Sequence, residues 1–265
     1  MAEFAVCKIG ESTYLINDAG QASFYILEGI DRAAVIDTGI TPNEKIVPFI
    51  RTLTQKPLIL LVTHAHVDHF HHMDEFETVY MSHREFELGE EMLCGMMAGK
   101  NLDLEHTIDI CTGSVIDLGG QTIEVCEVPG HTPGSVVFWN HQQNLLFTGD
   151  AIGSGYGVWM QVPGAVSLEK YRDNLIQLLM WLTARGGRMH FYGGHHYQQF
   201  LSRAVPTFNP LNLGLLADLI DLVDKILRGE IVGSFSDVQK TFTPEPILYA
   251  NYGRAEIQYL ASNMR

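Results

Sequence analysis

Directly after the apolar run Leu58–Val62 the chain reads Thr63-His64-Ala65-His66-Val67-Asp68-His69. In an extended segment residues two apart share a face, so His64 and His66 can grip one ion together. Asp68 and His69 are neighbours and face apart unless the chain turns. A turn or helix start at Val67 would let them address a second ion a few ångströms away. Imidazole and carboxylate donors suit zinc, with iron or manganese as alternatives. A solvent-facing histidine-rich loop with Asp68 as a helix cap would give the same string. That reading leaves unexplained why other donors also follow short strands. His131 follows Val128-Pro129-Gly130, Asp150 follows Phe147-Thr148-Gly149, and His195 follows Tyr192-Gly193-Gly194. Loops gathered at one rim of a sheet are where function is usually positioned.

The elements that must carry these loops are legible as short strands and capped helices. Thr13 to Asn17, Ser23 to Leu27 and Ala33 to Asp37 alternate with turn signals and read as strands. Pro42 to Leu53 reads as a helix capped by Thr41 with proline at its first position. Leu58 to Val62 is a continuous apolar strand of the kind buried on both faces. Val79 to Met81 follows as a strand, and Ser82 caps a helix over His83 to Leu93 with Glu85 at a capping-box position. Gln121 to Val128, Ser135 to Trp139 and Leu145 to Phe147 read as strands, Leu168 to Ala184 as a helix capped by Ser167, and Met189 to Tyr192 as a strand. The last stretch holds an amphipathic helix, Leu211 to Leu227, and β-like runs at Ile247 to Ala250 and Glu256 to Leu260.

No charge block, low-complexity tract or linker divides the 265 residues. The expectation is one domain over 1–265, with residues about 206–265 as a helix-plus-strand extension of it. Acidic side chains number 31 against 17 basic, a formal charge of −14. That balance argues against nucleic acid or anionic membrane as partner, since both need basic patches. Only 18% of residues are charged at 46% apolar content, against about 25% charged in an ordinary domain. Much surface must be buried, consistent with a homodimer contact. No basic flank precedes an apolar run at the N-terminus, and no run approaches the ~18 apolar residues of a span. Cys7, Cys94, Cys111 and Cys126 lie far apart without CxxC pairs, so reduced thiols and a cytoplasmic location are expected.

The chain resembles the metallo-β-lactamase-fold superfamily of metal-dependent hydrolases. The matching pieces are THAHVDH at 63–69, PGHTPGS at 129–135, TGD at 148–150 and GGH at 193–195, with Asp37-Thr38-Gly39 matching an early DTG turn. The resemblance covers roughly Tyr14 to His196. It implies an α/β fold: a four-layer αβ/βα sandwich of two mixed sheets with helices on both outer faces. It further implies that His64, His66 and His131 hold a first metal and Asp68, His69 and His195 a second. Asp150 then bridges the two, and Asp37 orients a ligand from behind. Two histidines follow Gly194, and His195, directly after the glycine, is taken as the ligand rather than His196. Phe70-His71-His72 departs from the small residue and glycines common after the motif. Its histidines are expected to face solvent on a helix, with the pocket mouth as the alternative.

The cofactors so implied are two divalent ions, zinc first, with iron or manganese as substitutes. Two such cations about 3.5–4 Å apart can share a water and hold it as a bridging hydroxide near neutral pH. The expected activity is hydrolysis of a small ester, lactone or thioester, with Asp68 orienting the nucleophile and moving its proton. Met96, Met97, Tyr156 and Trp159 sit in apolar segments that could line a pocket for a neutral or partly apolar small molecule. Core filling explains them equally well. The alternatives are an iron-dependent oxidoreductase of the same fold, using oxygen or sulfur chemistry, and a glyoxalase-II-like thioesterase.

Overall fold

The computed structural model describes residues 4–18, 22–41, 44–96, 106–154, 157–186, 188–195, 211–236 and 243–265. Seven strands form the first sheet in chain order: β1 (Phe4–Lys8), β2 (Thr13–Asp18), β3 (Ala22–Glu28), β4 (Ala33–Ile36), β5 (Leu58–Leu61), β6 (Val79–Met81) and β7 (Thr107–Asp109). β1 to β4 pair antiparallel and β4 to β7 parallel, so the sheet is mixed. The second sheet holds β8 (Val115–Asp117), β9 (Thr122–Glu127), β10 (Val136–Asn140) and β11 (Leu145–Gly149), antiparallel throughout. A two-residue strand, β12 (Val158–Trp159), belongs elsewhere, and β13 (His190–Gly193) completes the second sheet beside β11 in parallel.

Leu15, Tyr25, Leu27, Leu61, Val125, Phe138 and Phe147 form the apolar layer shared by the two sheets. The outer face of the first sheet is covered by short helices, α1 (Val47–Ile50), α2 (Val67–Phe70) and α3 (Glu90–Met96). The outer face of the second is covered by α4 (Leu168–Ala184) and α5 (Leu213–Leu227). On α4 the buried positions Leu168, Tyr171, Leu175, Leu178 and Leu182 recur at helical spacing, and so make one stripe that faces the core. This is the expected αβ/βα sandwich. A third sheet, in the order β12, β16 (Ala255–Leu260), β15 (Ile247–Tyr252) and β14 (Ser234–Phe235), is an addition to the two expected. Its residues Val158, Ile257 and Tyr259 share a core with α4 and α5.

Three local readings change. Among the described residues the helix expected over Pro42 to Leu53 is a single turn, Val47–Ile50, with Pro48 in its first turn; Pro42 lies outside the described residues. Proline fixes φ and cannot donate, so it belongs to a first turn and cannot lie inside a longer helix. The helix expected over His83 to Leu93 divides at Gly89, whose φ of 85° breaks helical geometry. A 3-10 segment, His83–Leu88, precedes the break, and α3 follows it. Ser82 caps the segment through the Arg84 amide, but Glu85 points inward and is fully buried instead of closing a capping box. The helix capped by Ser167 and the apolar strand at Leu58 appear where expected.

Candidate metal centre

Asp37, the histidine-rich segment, His131, Asp150 and His195 leave the C-terminal ends of β4, β5, β9, β11 and β13. β4 runs parallel to β5 and β11 parallel to β13, while β9 and β11 both run antiparallel to β10. Each sheet therefore delivers its loops to one edge. Direct bonds join the loops there: Val136 N–H donates to Thr63 O at 2.9 Å, Ser23 N–H to Gly194 O at 2.7 Å and Gly194 N–H to Gly149 O at 3.0 Å.

The expected turn at Val67 is present. His66 is extended, and α2 begins at Val67, so Asp68 and His69 leave the extended segment while the His69 ring stays 4.1 Å from that of His64. Donor atoms gather in three overlapping sets, each with its atoms within 4.8 Å of one another: His64, His66 and His131; His64, His69 and Asp150; Asp68, His69 and His195. The sequence-derived donors are thus brought together, with His195 among them. His196 lies outside the described residues, as do Met97 and Tyr156.

The rings are aimed from behind. Asp37 Oδ1 accepts from Thr63 N–H at 2.8 Å, and Oδ2 accepts from Thr63 Oγ1–H at 2.8 Å. The Thr63 hydroxyl, having given its proton to Asp37, accepts from His64 Nδ1 at 3.1 Å. Asp37 Oδ2 is also 2.9 Å from His69 Nδ1. His131 Nδ1 donates to the Trp159 carbonyl at 2.7 Å. In each ring the outer nitrogen carries the proton, which leaves the Nε2 lone pair pointing into the cluster. His64, His69 and His131 Nε2 are among the buried ring atoms without hydrogen-bond partners. An unpaired buried acceptor costs about 1–3 kcal/mol, and these three, spread over adjacent donor sets, are what cations would satisfy. The residues fit divalent metal.

The electrostatics agree. Burial and the neighbouring histidines hold His64 well below the ordinary imidazole range, and burial beside His131 pushes His66 down to about 3. Both are neutral, as ligation requires. At the other end burial opposes protonation of His195, but Asp150 and Asp68 prevail and lift it to about 9. His69 is raised in the same way by Asp68 and Asp37. Asp150, despite burial, is held well below the usual carboxylate range by His195, His69 and His131. The acidic half of the cluster draws positive charge.

Asp150 is split between two tasks. Its Oδ1 accepts from Ser154 Oγ at 3.0 Å, while Oδ2 lies 3.2 Å from His195 Nε2, 3.8 Å from His131 Nε2 and 4.0 Å from His69 Nε2. One oxygen therefore faces rings of both expected sets. Two glycines make room: a Cβ at Gly194 would lie 2.5 Å from His69 Cε1 and 2.6 Å from Asp150 Oδ1, and one at Gly149 (φ 48°) would overlap Thr63.

The family model described as the metallo-beta-lactamase superfamily matches residues 17–180, the stretch that holds every donor but His195. The chain belongs to the metallo-beta-lactamase superfamily. Among curated relatives, a probable metallo-hydrolase of Bacillus subtilis is 30% identical over 144 residues, 51% of this chain and 68% of its own length. A hydroxyacylglutathione hydrolase of Mesorhizobium japonicum is 29% identical over 189 residues, 69% of this chain and 65% of its own length. Among solved structures, the metallo-beta-lactamase from Pontibacter korlensis superposes with a TM-score of 0.62 at 20% identity, covering 84% of this chain and 99% of that one. Likeness at that identity speaks for the fold. With its donor set gathered, this superfamily member is a metal-dependent hydrolase whose substrate is unassigned.

Sequence reasoning missed Thr63, the Trp159 carbonyl and Ser154, because each works through a backbone or hydroxyl contact that spacing does not encode. Trp159, whose side chain could line a pocket or fill the core, aims His131 through its carbonyl, and β12, which carries it, is held by β16 through Met160 N–H donating to Gln258 O at 2.7 Å. His72 is corrected. It is buried, not solvent-facing, with Nδ1 2.9 Å from Glu75 Oε1. The Glu75 carboxylate in turn accepts the Ile46 and Val47 amides at the start of α1, so the pair anchors a helix. All four cysteines are free. No helix among the described residues is long and apolar enough to cross a membrane.

Proposed function

We propose that the chain is a dinuclear hydrolase, zinc-dependent, that cleaves a small carboxylic thioester or ester. The observation that carries this reading is the overlap of adjacent three-donor sets through His64 and His69, with Asp150 Oδ2 facing His131 on one side and His69 and His195 on the other. His64, His66 and His131 would hold one ion; Asp68, His69 and His195 would hold the other, with Asp150 between them. Divalent ions there supply Lewis acidity, making a water nucleophilic at neutral pH and polarising a carbonyl.

The chain's own groups do the rest. Asp37 keeps His69 in one tautomer, and Thr63 does the same for His64. Asp68, with 25% of its side chain exposed, is reachable from solvent and held anionic against its burial by His69 and His195. It is placed to accept a proton from an attacking water and deliver it to the leaving group. A thiolate leaves with little need of that proton, whereas an alkoxide needs it. Asp68 therefore serves either leaving group, and the name of the hydroxyacylglutathione hydrolase relative favours thioesters. The formal charge of −14 works against polyanions such as RNA.

The test is turnover of metal-loaded protein on acyl thioesters of glutathione and of a neutral thiol, chromogenic oxygen esters, lactones, β-lactams and an RNA oligomer. Thioester cleavage that is lost to chelation and restored by zinc supports the reading. Failure on every carbonyl substrate, or a clear preference for RNA, overturns it.

A further inference from the structure

Glu85 sits on the 3-10 segment His83–Leu88, away from every stretch that supplies a donor, and is fully buried. A carboxyl in such a place costs stability unless it has polar partners. Its Oε1 accepts from the Thr132 hydroxyl at 2.5 Å, and Thr132 directly follows His131. The Thr132 and Ser135 hydroxyls are 2.7 Å apart, which ties the contact into the whole 131–135 turn. Its other oxygen, Oε2, is buried without a hydrogen bond, and the nearby backbone amides of Ala65, between His64 and His66, and of Gly134 act on the carboxyl through their field. Gly134 packs so closely that a Cβ there would lie 2.7 Å from Glu85 Cγ. One side chain thus bonds to the loop after β9 and lies beside the backbone of the loop after β5, which come from different sheets.

We propose that Glu85 is a positioning residue that ties the His64–His66 loop to the His131 loop and thereby sets the affinity of the metal held by those three histidines. The inference rests on reading the three as metal ligands. Its physical basis is leverage. The loops also meet through Val136 N–H and Thr63 O, but that bond lies before His64 and beyond His131. Glu85 reaches inside both donor stretches, bonded to Thr132 and beside the Ala65 backbone. Shifts of a few tenths of an ångström alter all three metal–nitrogen distances, and supporting contacts of this sort change metal affinity by about 10–100-fold. Burial pushes the Glu85 carboxyl up to about 7, so the site tolerates a neutral group, and an amide of the same shape can accept the Thr132 bond.

The experiment is calorimetric titration of chelator-stripped full-length protein with zinc, repeated with cobalt and read by visible absorption, with circular dichroism to check folding. The parent is expected to bind two ions. Glu85→Ala should weaken the histidine-only site about 10–100-fold, and Glu85→Gln should restore it to within a few-fold of the parent. Should Glu85→Ala not fold, Thr132→Ala removes the same bond from the other side and should weaken that site similarly. Binding by a folded Glu85→Ala or Thr132→Ala variant as tight as the parent's would overturn the proposal. So would a glutamine variant as weak as the alanine one. A parent that binds no metal would overturn the reading of the ligands themselves, an outcome visible before any variant is made.

Discussion

Asp37 and His69 meet at 2.9 Å through Oδ2 and Nδ1, both side chains buried, although 32 residues separate them in the chain. Asp37 reaches this position through a left-handed backbone, φ 61°, a conformation that aspartate and asparagine tolerate better than most side chains. The turn at the end of β4 aims the carboxylate across the mouth of β5. There it receives the Thr63 amide, the Thr63 hydroxyl and the His69 ring together.

Asp37→Ala should therefore bind the second-site metal about 10–100-fold more weakly, the usual effect of losing a partner that orients a ligand. Asp37→Asn should fold better, because asparagine accepts the left-handed turn. It should regain little affinity, since one amide oxygen cannot take the Thr63 N–H on one side and the Thr63 hydroxyl and His69 on the other. Zinc titration of both variants decides the matter, and affinity equal to the parent's in either would refute the orienting role.

Gly194→Ala should disable the site without unfolding the protein. The added Cβ would lie 2.5 Å from His69 and 2.6 Å from Asp150. The backbone cannot step aside, because Gly194 donates to Gly149 O and accepts from Ser23 N–H. Bound metal should fall below two ions per chain, and turnover by at least about a hundredfold. Full metal content measured by elemental analysis would contradict this.

The donors were legible in the sequence because each follows an apolar strand within a short, distinctive string. The sheets were legible for a related reason: runs such as Leu58–Val62 must be buried on both faces. What escaped was the support around the donors. Glu85 occupies a position three residues after Ser82, where a capping box was the natural local reading, and only tertiary packing turns it inward. The strands Thr107–Asp109, Val115–Asp117 and Val158–Trp159 escaped because two or three residues are too few to show a period. Gly89 could have signalled the break before α3, but a single glycine inside a helical pattern is weak punctuation.

Glu85 also makes a prediction about pH. Its carboxyl titrates at about 7 in the folded chain against an ordinary 4.5, so the folded state favours the protonated form. Stability from this source is fully present below pH 4.5, falls as pH rises through about 7 and then levels off. The difference corresponds to about 3 kcal/mol at most. Glu85→Gln removes the titration, so metal-stripped parent should lose about 1–3 kcal/mol more than this variant between pH 5 and pH 8. Urea unfolding at both pH values measures it. Parallel losses would mean that Glu85 ionises freely in the folded chain.

The two carboxylates of the cluster should fail in different ways. Asp150 Oδ2 lies between His131 and His69 and beside His195, so an ion on either side would find it. Asp68 Oδ2 lies 3.5 Å from His69 Nε2 and 3.3 Å from His195 Nε2, and shares a donor set only with those two rings. A carboxylate between two dications offsets their repulsion and ligates both. Its loss should weaken both sites, whereas removal of Asp68 leaves His64, His66 and His131 intact. Three protein ligands are enough for a catalytic-type zinc site. Asp150→Ala should thus bind both ions poorly, and Asp68→Ala should retain about one ion at moderate zinc concentration. Both variants should be nearly inactive, so turnover cannot separate the two roles. Calorimetric metal titration can: if Asp150→Ala still takes up two ions as tightly as the parent, Asp150 does not bridge, and the division of the cluster into two sites sharing one carboxylate is wrong.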